Sequence, residues 1–349
     1  MANRLVPLSA QHADTPWPTE AWPEADVPSE ADRATLARLI EAAFDENAVA
    51  PLGETHAVLA VARGRLVLER YGTGFSPDSL CPSWSMAKSI THALIGILAG
   101  GGRIDIRAPA PVAEWRGPDD PRRAITLDQL LRMSSGLAFI ESYIPDEPTD
   151  VIDMLWGKGK DDAAHFAASF PLAHPPGSFW AYSSGTTNIV ARLAADAAGA
   201  RGGAFEAFMR KRLFAPLGMT SALPKFDAAG TFIGSSFLFA TARDFARFGL
   251  LYLRGGMWDG ARIVPEGWVD YARTPTYQQT ADQGRYGAHW WLDIAGPGSF
   301  SANGYEGQFI VVVPQRDLVL VRLGKSRAEV QDRVKQWLRE VAECFPLIA

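Results

Sequence analysis

Ser85 and Lys88 stand three residues apart at the head of an almost wholly apolar segment, Met86 to Ala99. Within it Ile90, Leu94, Ile97 and Leu98 recur at helical spacing. Helix positions three apart share one face, a turn from each other. A lysine on a buried helix carries its charge at a cost, so its pKa should fall toward neutrality. In that state it can take the proton of the serine hydroxyl, or hold the group that does. The pair therefore reads as an activated serine nucleophile. The pattern alone is weak, because a chain of this length shows serine three before lysine about once by chance. No other lysine of the chain has it, and the apolar helix supplies the burial that the chemistry needs.

Acyl transfer also needs a proton donor for the leaving group and backbone N–H groups for the oxyanion. Tyr182, in the loop Pro176 to Gly185, offers the donor, since a neighbouring lysine charge would lower its pKa and let it shuttle a proton. Gly304 and Gly307 flank Tyr305-Glu306 at the entry to a strand, where glycine allows close backbone approach to a ligand. Each has a plainer reading: Tyr182 as a surface anchor, the two glycines as a bulge. Trp180, Trp290 and Trp291 are either cleft walls or core. Other catalytic plans are absent: there is no Gly-x-Ser-x-Gly elbow, no His-Glu-x-x-His and no P-loop. The six histidines form no metal-spaced cluster, His92 reads as a helix residue with a satisfied hydrogen bond, and the scattered carboxylates suggest no glycosidase pair. Cys81 and Cys344 match no zinc spacing and read as buried thiols. No metal and no cofactor are expected.

These residues must be held by a large fold, and 349 residues suffice for one. Residues 1 to about 30, rich in proline and acidic residues, should wrap the surface without regular structure. A helix is expected over Asp32–Asn47, then a hairpin of His56–Val61 and Arg65–Arg70 around Gly64, then the Ser85 helix. The middle reads as helices at Thr126–Met133, Thr187–Ala197, Ala204–Leu213 and Thr241–Leu253, with a loop at Pro145–Pro148. Strand character returns at Tyr286–Leu292, Phe300–Ala302, Gln308–Val313 and Leu318–Leu323, with a turn at Pro314–Asp317 and a closing helix at Ala328–Cys344. Strands at both ends around a helical middle imply an α+β fold, one antiparallel sheet built from both termini and flanked by helices, with an inserted mainly helical domain. The expected division is residues 1–108 with 285–349 for the sheet domain and 109–284 for the helical one, the site lying between.

A net charge of −5 gives no basic field for nucleic acid or anionic membrane. The N-terminus lacks the apolar stretch of a signal peptide, and Ile90–Ala99 is too short to span a bilayer, so a cytoplasmic protein is expected. The oligomeric state, monomer or homodimer, is not legible.

Order, spacing and context together carry a resemblance. Trp84-Ser85-Met86-Ala87-Lys88-Ser89, Leu130 to Leu137, Tyr182-Ser183-Ser184-Gly185 and Ala240 to Gly249 resemble the penicillin-recognising serine hydrolases: class C β-lactamases, D-aminopeptidases and family VIII esterases. The likeness is strongest to the 6-aminohexanoate-dimer hydrolase branch and covers about Ala57 to Leu323. It implies the β-lactamase/D,D-peptidase-like fold, with Ser85 as nucleophile, Lys88 as its activating partner and Tyr182 as general acid/base. It leaves open whether Lys88 or Tyr182 takes the serine proton. It further implies an oxyanion hole from the backbone N–H groups of Ser85 and Tyr305, and substrate contacts at Tyr143, Ser184 and Gly304. Tyr143 lies in Phe139 to Tyr143, which looks like a loop that supplies a substrate-contacting tyrosine in that branch.

One position departs from the family. Where its third motif usually offers Lys or His, then Thr or Ser, then Gly, this chain has Ala302-Asn303-Gly304. The carboxylate of penicillins and D-alanyl peptides loses its usual charged partner. Hydrolysis of small amides or esters through an acyl-enzyme is therefore expected ahead of β-lactamase or D,D-peptidase activity. A non-catalytic binding member of the fold is the third reading, opposed by the intact Ser85, Lys88 and Tyr182.

Overall fold

A computed structural model describes residues 5–45, 47, 51–143, 147–276 and 284–348. Seven antiparallel strands form one sheet, in the spatial order Arg65–Tyr71, Glu54–Ala62, Leu318–Lys325, Gln308–Val313, Phe300–Gly304, Trp291–Leu292 and Arg285–Tyr286. The first hairpin turns through Arg63 and Gly64, both at positive φ, the twist that matches its flanking strands. The last long strand, Leu318–Lys325, lies beside Glu54–Ala62, so the two ends of the chain close one sheet. The fold is α+β, as expected from strands at both ends.

Alternation along the strands separates two cores. Val58, Ala60, Val311 and Leu320 face the helices Arg33–Phe44 and Gln331–Glu343. Ala57, Leu59, Val61, Ile310, Val312 and Val319 face the other side, where the helices Ala87–Gly100 and Ala242–Leu253 pack. Among its described residues the N-terminal arm has no helix, but it is anchored: Glu24 bridges to Leu66, Trp22 is buried and His12 meets Asp317 at 2.9 Å.

Several elements differ from their sequence reading. The strand expected over Tyr286–Leu292 is two short strands, because the chain reverses between them through His289 at φ 57°. The Thr187–Ala197 helix begins earlier, at Ser184, capped by the Ser183 hydroxyl, which accepts from Thr186 N. The Ala204–Leu213 helix is regular over Gly203–Met209 and widens into a π-turn over Arg210–Phe214. The closing helix starts as a 3₁₀ turn, Ala328–Val330. Short helices Asp150–Trp156 and Ala163–Ala168, and a small sheet of Cys81–Pro82, Leu238–Ala240 and Leu223–Pro224, carried no clear periodic signal. The loop read at Pro145–Pro148 lies partly outside the described residues. Among the described residues no helix is long and apolar enough to cross a membrane. Cys81 and Cys344 are free and buried.

Candidate active site

The small sheet aims the nucleophile. Strand Cys81–Pro82 pairs with Phe239 and Ala240, and Ser83 N–H donates to Leu238 O at 2.7 Å. Trp84 then takes φ 43°, a left-handed conformation unusual for a bulky residue. Ser85 follows inside a 3₁₀ turn, Trp84–Met86, and the α-helix proper starts at Ala87 rather than at the serine. The sharp turn leaves Ser85 half-buried at a cleft while Lys88, one turn on, is buried.

Lys88 Nζ donates to Ser85 Oγ at 3.0 Å, Ser184 Oγ at 2.9 Å and Ser235 O at 3.1 Å, using all three of its protons when charged. Burial lowers its pKa from 10.5 to about 8, against a smaller upward pull from the Glu141 carboxylate. Ser184 is fully buried, its hydroxyl held between Lys88 and Glu141 Oε1, to which it donates at 2.8 Å. Ser184, expected as a substrate contact, is thus buried against Lys88 and Glu141 and is not among the residues that line the cleft with Ser85.

Tyr182 is near enough to hydrogen-bond Ser85, and Lys88 Nζ lies over its ring, 4.7 Å from the centroid. Its pKa shift runs opposite to the sequence reading. Burial raises it, Glu141 raises it further, and only the bond with Ser85 works downward. The lysine charge meets the ring face instead of the hydroxyl, so the expected lowering does not occur. Glu141 is the residue that sequence reasoning missed. It accepts from Ser184 N–H, from Ser184 Oγ and from Tyr143 Oη at 2.9 Å. Its signal was its place two residues before Tyr143 in the loop already singled out.

The strand Phe300–Gly304 supplies the opposite wall. A Cβ on Gly304 would lie 2.3 Å from Ser83 O, so glycine is needed here for the strand to meet the turn before the nucleophile. Ala302 is buried in the strand opposite Ile310 and presents no charge. Ser85, Tyr182, Tyr143, Gly304 and Tyr305 line one cleft of about 740 Å³. Tyr143 stacks on Tyr305 with centroids 5.1 Å apart, and Tyr305 meets the edge of Trp84 at 5.8 Å. Of the three tryptophans, Trp291 lines the cleft, 5.5 Å from Tyr182, whereas Trp180 and Trp290 are core. His92, a buried helix residue that does not line the cleft, bonds Tyr252 Oη at 2.8 Å and stacks on Trp268. No cluster of three or more metal-type side chains occurs among the described residues.

A serine–lysine turn beside an antiparallel sheet flanked by helices is the architecture of the β-lactamase and penicillin-binding-protein fold, a class of serine hydrolases. The chain belongs to the β-lactamase family, whose model (Beta-lactamase) matches residues 44–343. It is similar to the 6-aminohexanoate-dimer hydrolase of Paenarthrobacter ureafaciens, 28% identical over 290 residues, which cover 77% of this chain and 72% of that one. Its fold is shared by a Bacillus anthracis protein provisionally named a 6-aminohexanoate-dimer hydrolase (TM-score 0.74, 22% identity, 97% of this chain and 91% of that one). A family VIII carboxylesterase shares it too (TM-score 0.70, 16% identity, 92% and 99%).

Proposed function

We propose that the chain hydrolyses amide or ester bonds of small substrates through an acyl-enzyme on Ser85. The observation that carries this is the buried Lys88 ammonium nitrogen, 3.0 Å from Ser85 Oγ with its pKa drawn down to about 8. Neutral Lys88 takes the Ser85 proton as Oγ attacks the carbonyl carbon. Tyr182, whose phenol stays protonated, is then the donor and not the first base. It gives its proton to the leaving nitrogen or oxygen as that bond breaks, which leaves a Tyr182 phenolate and a protonated Lys88. Water then attacks the acyl carbon and gives its proton to the Tyr182 phenolate, and Lys88 returns its proton to Ser85 Oγ as the acyl–oxygen bond breaks. The N–H groups of Ser85 and Tyr305 hold the oxyanion, and Tyr143 and Gly304 border the substrate.

Ala302, apolar and buried where the family carries its cation, favours amides and esters over β-lactams. The 6-aminohexanoate-dimer hydrolase relative brings 6-aminohexanoate-like amides into the panel, and the carboxylesterase neighbour brings carboxylesters. The same reading keeps the division into residues 1–108 with 285–349 and 109–284, with the site proposed to lie between the two parts. A fluorophosphonate should label wild-type protein on Ser85 and spare Ser85→Ala, with mass spectrometry locating the adduct. Full activity in Ser85→Ala would refute the mechanism, and β-lactam turnover well above that of esters and amides would reverse the substrate ranking.

A further inference from the structure

Arg322 is a fully buried cation in the middle of the sheet. It lies in the strand Leu318–Lys325 opposite Val58 and Phe309, both of the apolar layer under the helix Gln331–Glu343. Directly opposed residues of an antiparallel pair point to the same face, so the guanidinium enters that layer. Burial alone draws its pKa down from 12.5 to about 9, and no carboxylate among the described residues pairs with it. An apolar side chain of similar volume commonly serves a core as well as a buried charge or better. What the charge does here is grip backbone. Nη1 donates to Gly307 O at 2.8 Å and Glu306 O at 3.4 Å, while Nη2 donates to Leu52 O at 3.1 Å, Glu54 O at 3.2 Å and Thr55 Oγ1 at 3.3 Å. The planar fork thus joins two separate segments, the turn Tyr305–Gly307 and the start of the strand Glu54–Ala62.

The turn so held does not take its shape by local preference. Glu306 at φ 60°, ψ 19° and Gly307 at φ 83° are consecutive left-handed residues, and the glutamate persists there only if its surroundings impose it. All three carbonyls of the turn are tied down. Gln308 Nε2 donates to Tyr305 O at 3.2 Å, Ser326 N–H donates to Glu306 O at 2.8 Å, and Arg322 holds Gly307 O. Two glycines make room for the guanidinium: a Cβ on Gly307 would collide with Arg322 Nη1, and one on Gly324 would lie 2.6 Å from its Cζ. The same turn begins at the cleft, where Tyr305 shares the wall with Ser85 and meets Trp84, the residue before the nucleophile. Arg322 therefore fixes from behind a turn whose front borders the reacting centre. We propose that Arg322 is a positioning residue for the oxyanion hole, holding the Tyr305–Gly307 turn so that Tyr305 N–H is aimed at the substrate carbonyl oxygen. This rests on the reading of Ser85 as nucleophile and of Tyr305 N–H as an oxyanion donor.

The test uses Arg322→Ala, with rates expressed per active site and sites counted by fluorophosphonate labelling carried to completion. On p-nitrophenyl butyrate, kcat should fall about 10–100-fold with KM within about threefold, since a displaced oxyanion donor weakens the transition state and not the bound ester. A merely structural role would lower stability and the number of sites but not the rate at each. The second readout is 1,1,1-trifluoroheptan-2-one, which forms a tetrahedral oxyanion on a reactive serine. Its inhibition constant should rise by the factor by which kcat/KM falls. Arg322→Lys keeps the charge without the two-sided fork and should lose at least about fivefold in kcat, which gives a reading even if the alanine variant does not fold. Per-site kcat within about twofold of wild type in the folded variants, or a loss confined to KM, would overturn the proposal and leave the hydrolase reading intact. A fall in kcat that the trifluoroketone does not follow would overturn it as well. If wild-type protein is neither labelled on Ser85 nor active on any ester or amide, the hydrolase reading fails and this proposal falls with it.

Discussion

Replacing Lys88 by Met separates catalysis from stability, because the buried charge opposes folding. The fall of the Lys88 pKa from 10.5 to about 8 corresponds to roughly 3 kcal/mol of preference for the neutral form in the folded protein. The sign follows from proton counting. Between pH 8 and 10.5 the unfolded lysine holds a proton that the folded one has lost, so wild-type stability rises with pH across that window. Below pH 8 both states are charged and the penalty is present in full. Methionine fills a similar volume and carries no charge, so the variant lacks the penalty at every pH.

Against this gain stands the lost donor. Ser184 keeps its bond to Glu141 and Ser85 faces the cleft, but the Ser235 carbonyl is left without Lys88, at a cost of about 1–3 kcal/mol. At pH 7 Lys88→Met should therefore match or exceed wild-type stability by up to about 2 kcal/mol, while kcat/KM falls about 10²–10⁴-fold. The pH dependence is the stricter measurement, since that offset cancels from it. In paired denaturant titrations, the stability of the variant relative to wild type should fall by about 2–3 kcal/mol between pH 7 and pH 10. A difference that stays constant over that range would refute a buried, depressed Lys88, and with it the proposed source of the base.

Three further outcomes follow from individual contacts. Glu141→Gln removes the one charge that holds the Lys88 pKa up, so the rising limb of kcat/KM against pH, centred near 8 in wild type, should move to lower pH, as read from pH–rate profiles. Gly304→Ala places a methyl against Ser83 O, which is backbone and cannot swing aside. A stability loss of about 1–3 kcal/mol by denaturant titration should accompany an activity loss of at least about tenfold, as the nucleophile turn shifts. Asp317→Ala strips the buried Arg254 of its carboxylate and frees His12, and should cost about 3–5 kcal/mol of stability with kcat/KM for a neutral ester near wild type.

What could be read from the residues was local. Ser85 and Lys88 lie within one turn, and the apolar run behind them announces burial. The Thr241 cap and the β-rich runs of the last two long strands likewise fix their elements within a few residues. What escaped depends on distance along the chain or on direction in space. Glu141 reaches Ser184 across 43 residues, hinted at only by its place in the loop of Tyr143, and the Ser235 carbonyl reaches Lys88 across 147 with no pattern to announce the meeting. The Tyr182 shift was misjudged because proximity of a lysine was legible while its placement over the ring face was not. The strand at Tyr286–Leu292 split because residue types favoured extension throughout, whereas the fold reverses the chain at His289.

The geometry also explains why the nucleophile sits in a strained turn and not within the helix that sequence periodicity suggested. A serine inside a buried helix would be as inaccessible as Lys88. Here the Ser83 hydroxyl and backbone are fastened to Leu238, Trp84 is forced to positive φ, and the Gly304 strand presses on Ser83 O from the other side. Ser85 is thereby lifted toward the cleft while Lys88, three residues later, remains in the core within hydrogen-bonding distance of it. Exposure of one member and burial of the other are both required, since the hydroxyl must meet substrate and the amine must lose its charge near neutral pH. A regular helix through Ser85 would give the spacing without that contrast. The left-handed Trp84 and the close glycine strand are what turn a common sequence pattern into a reactive pair.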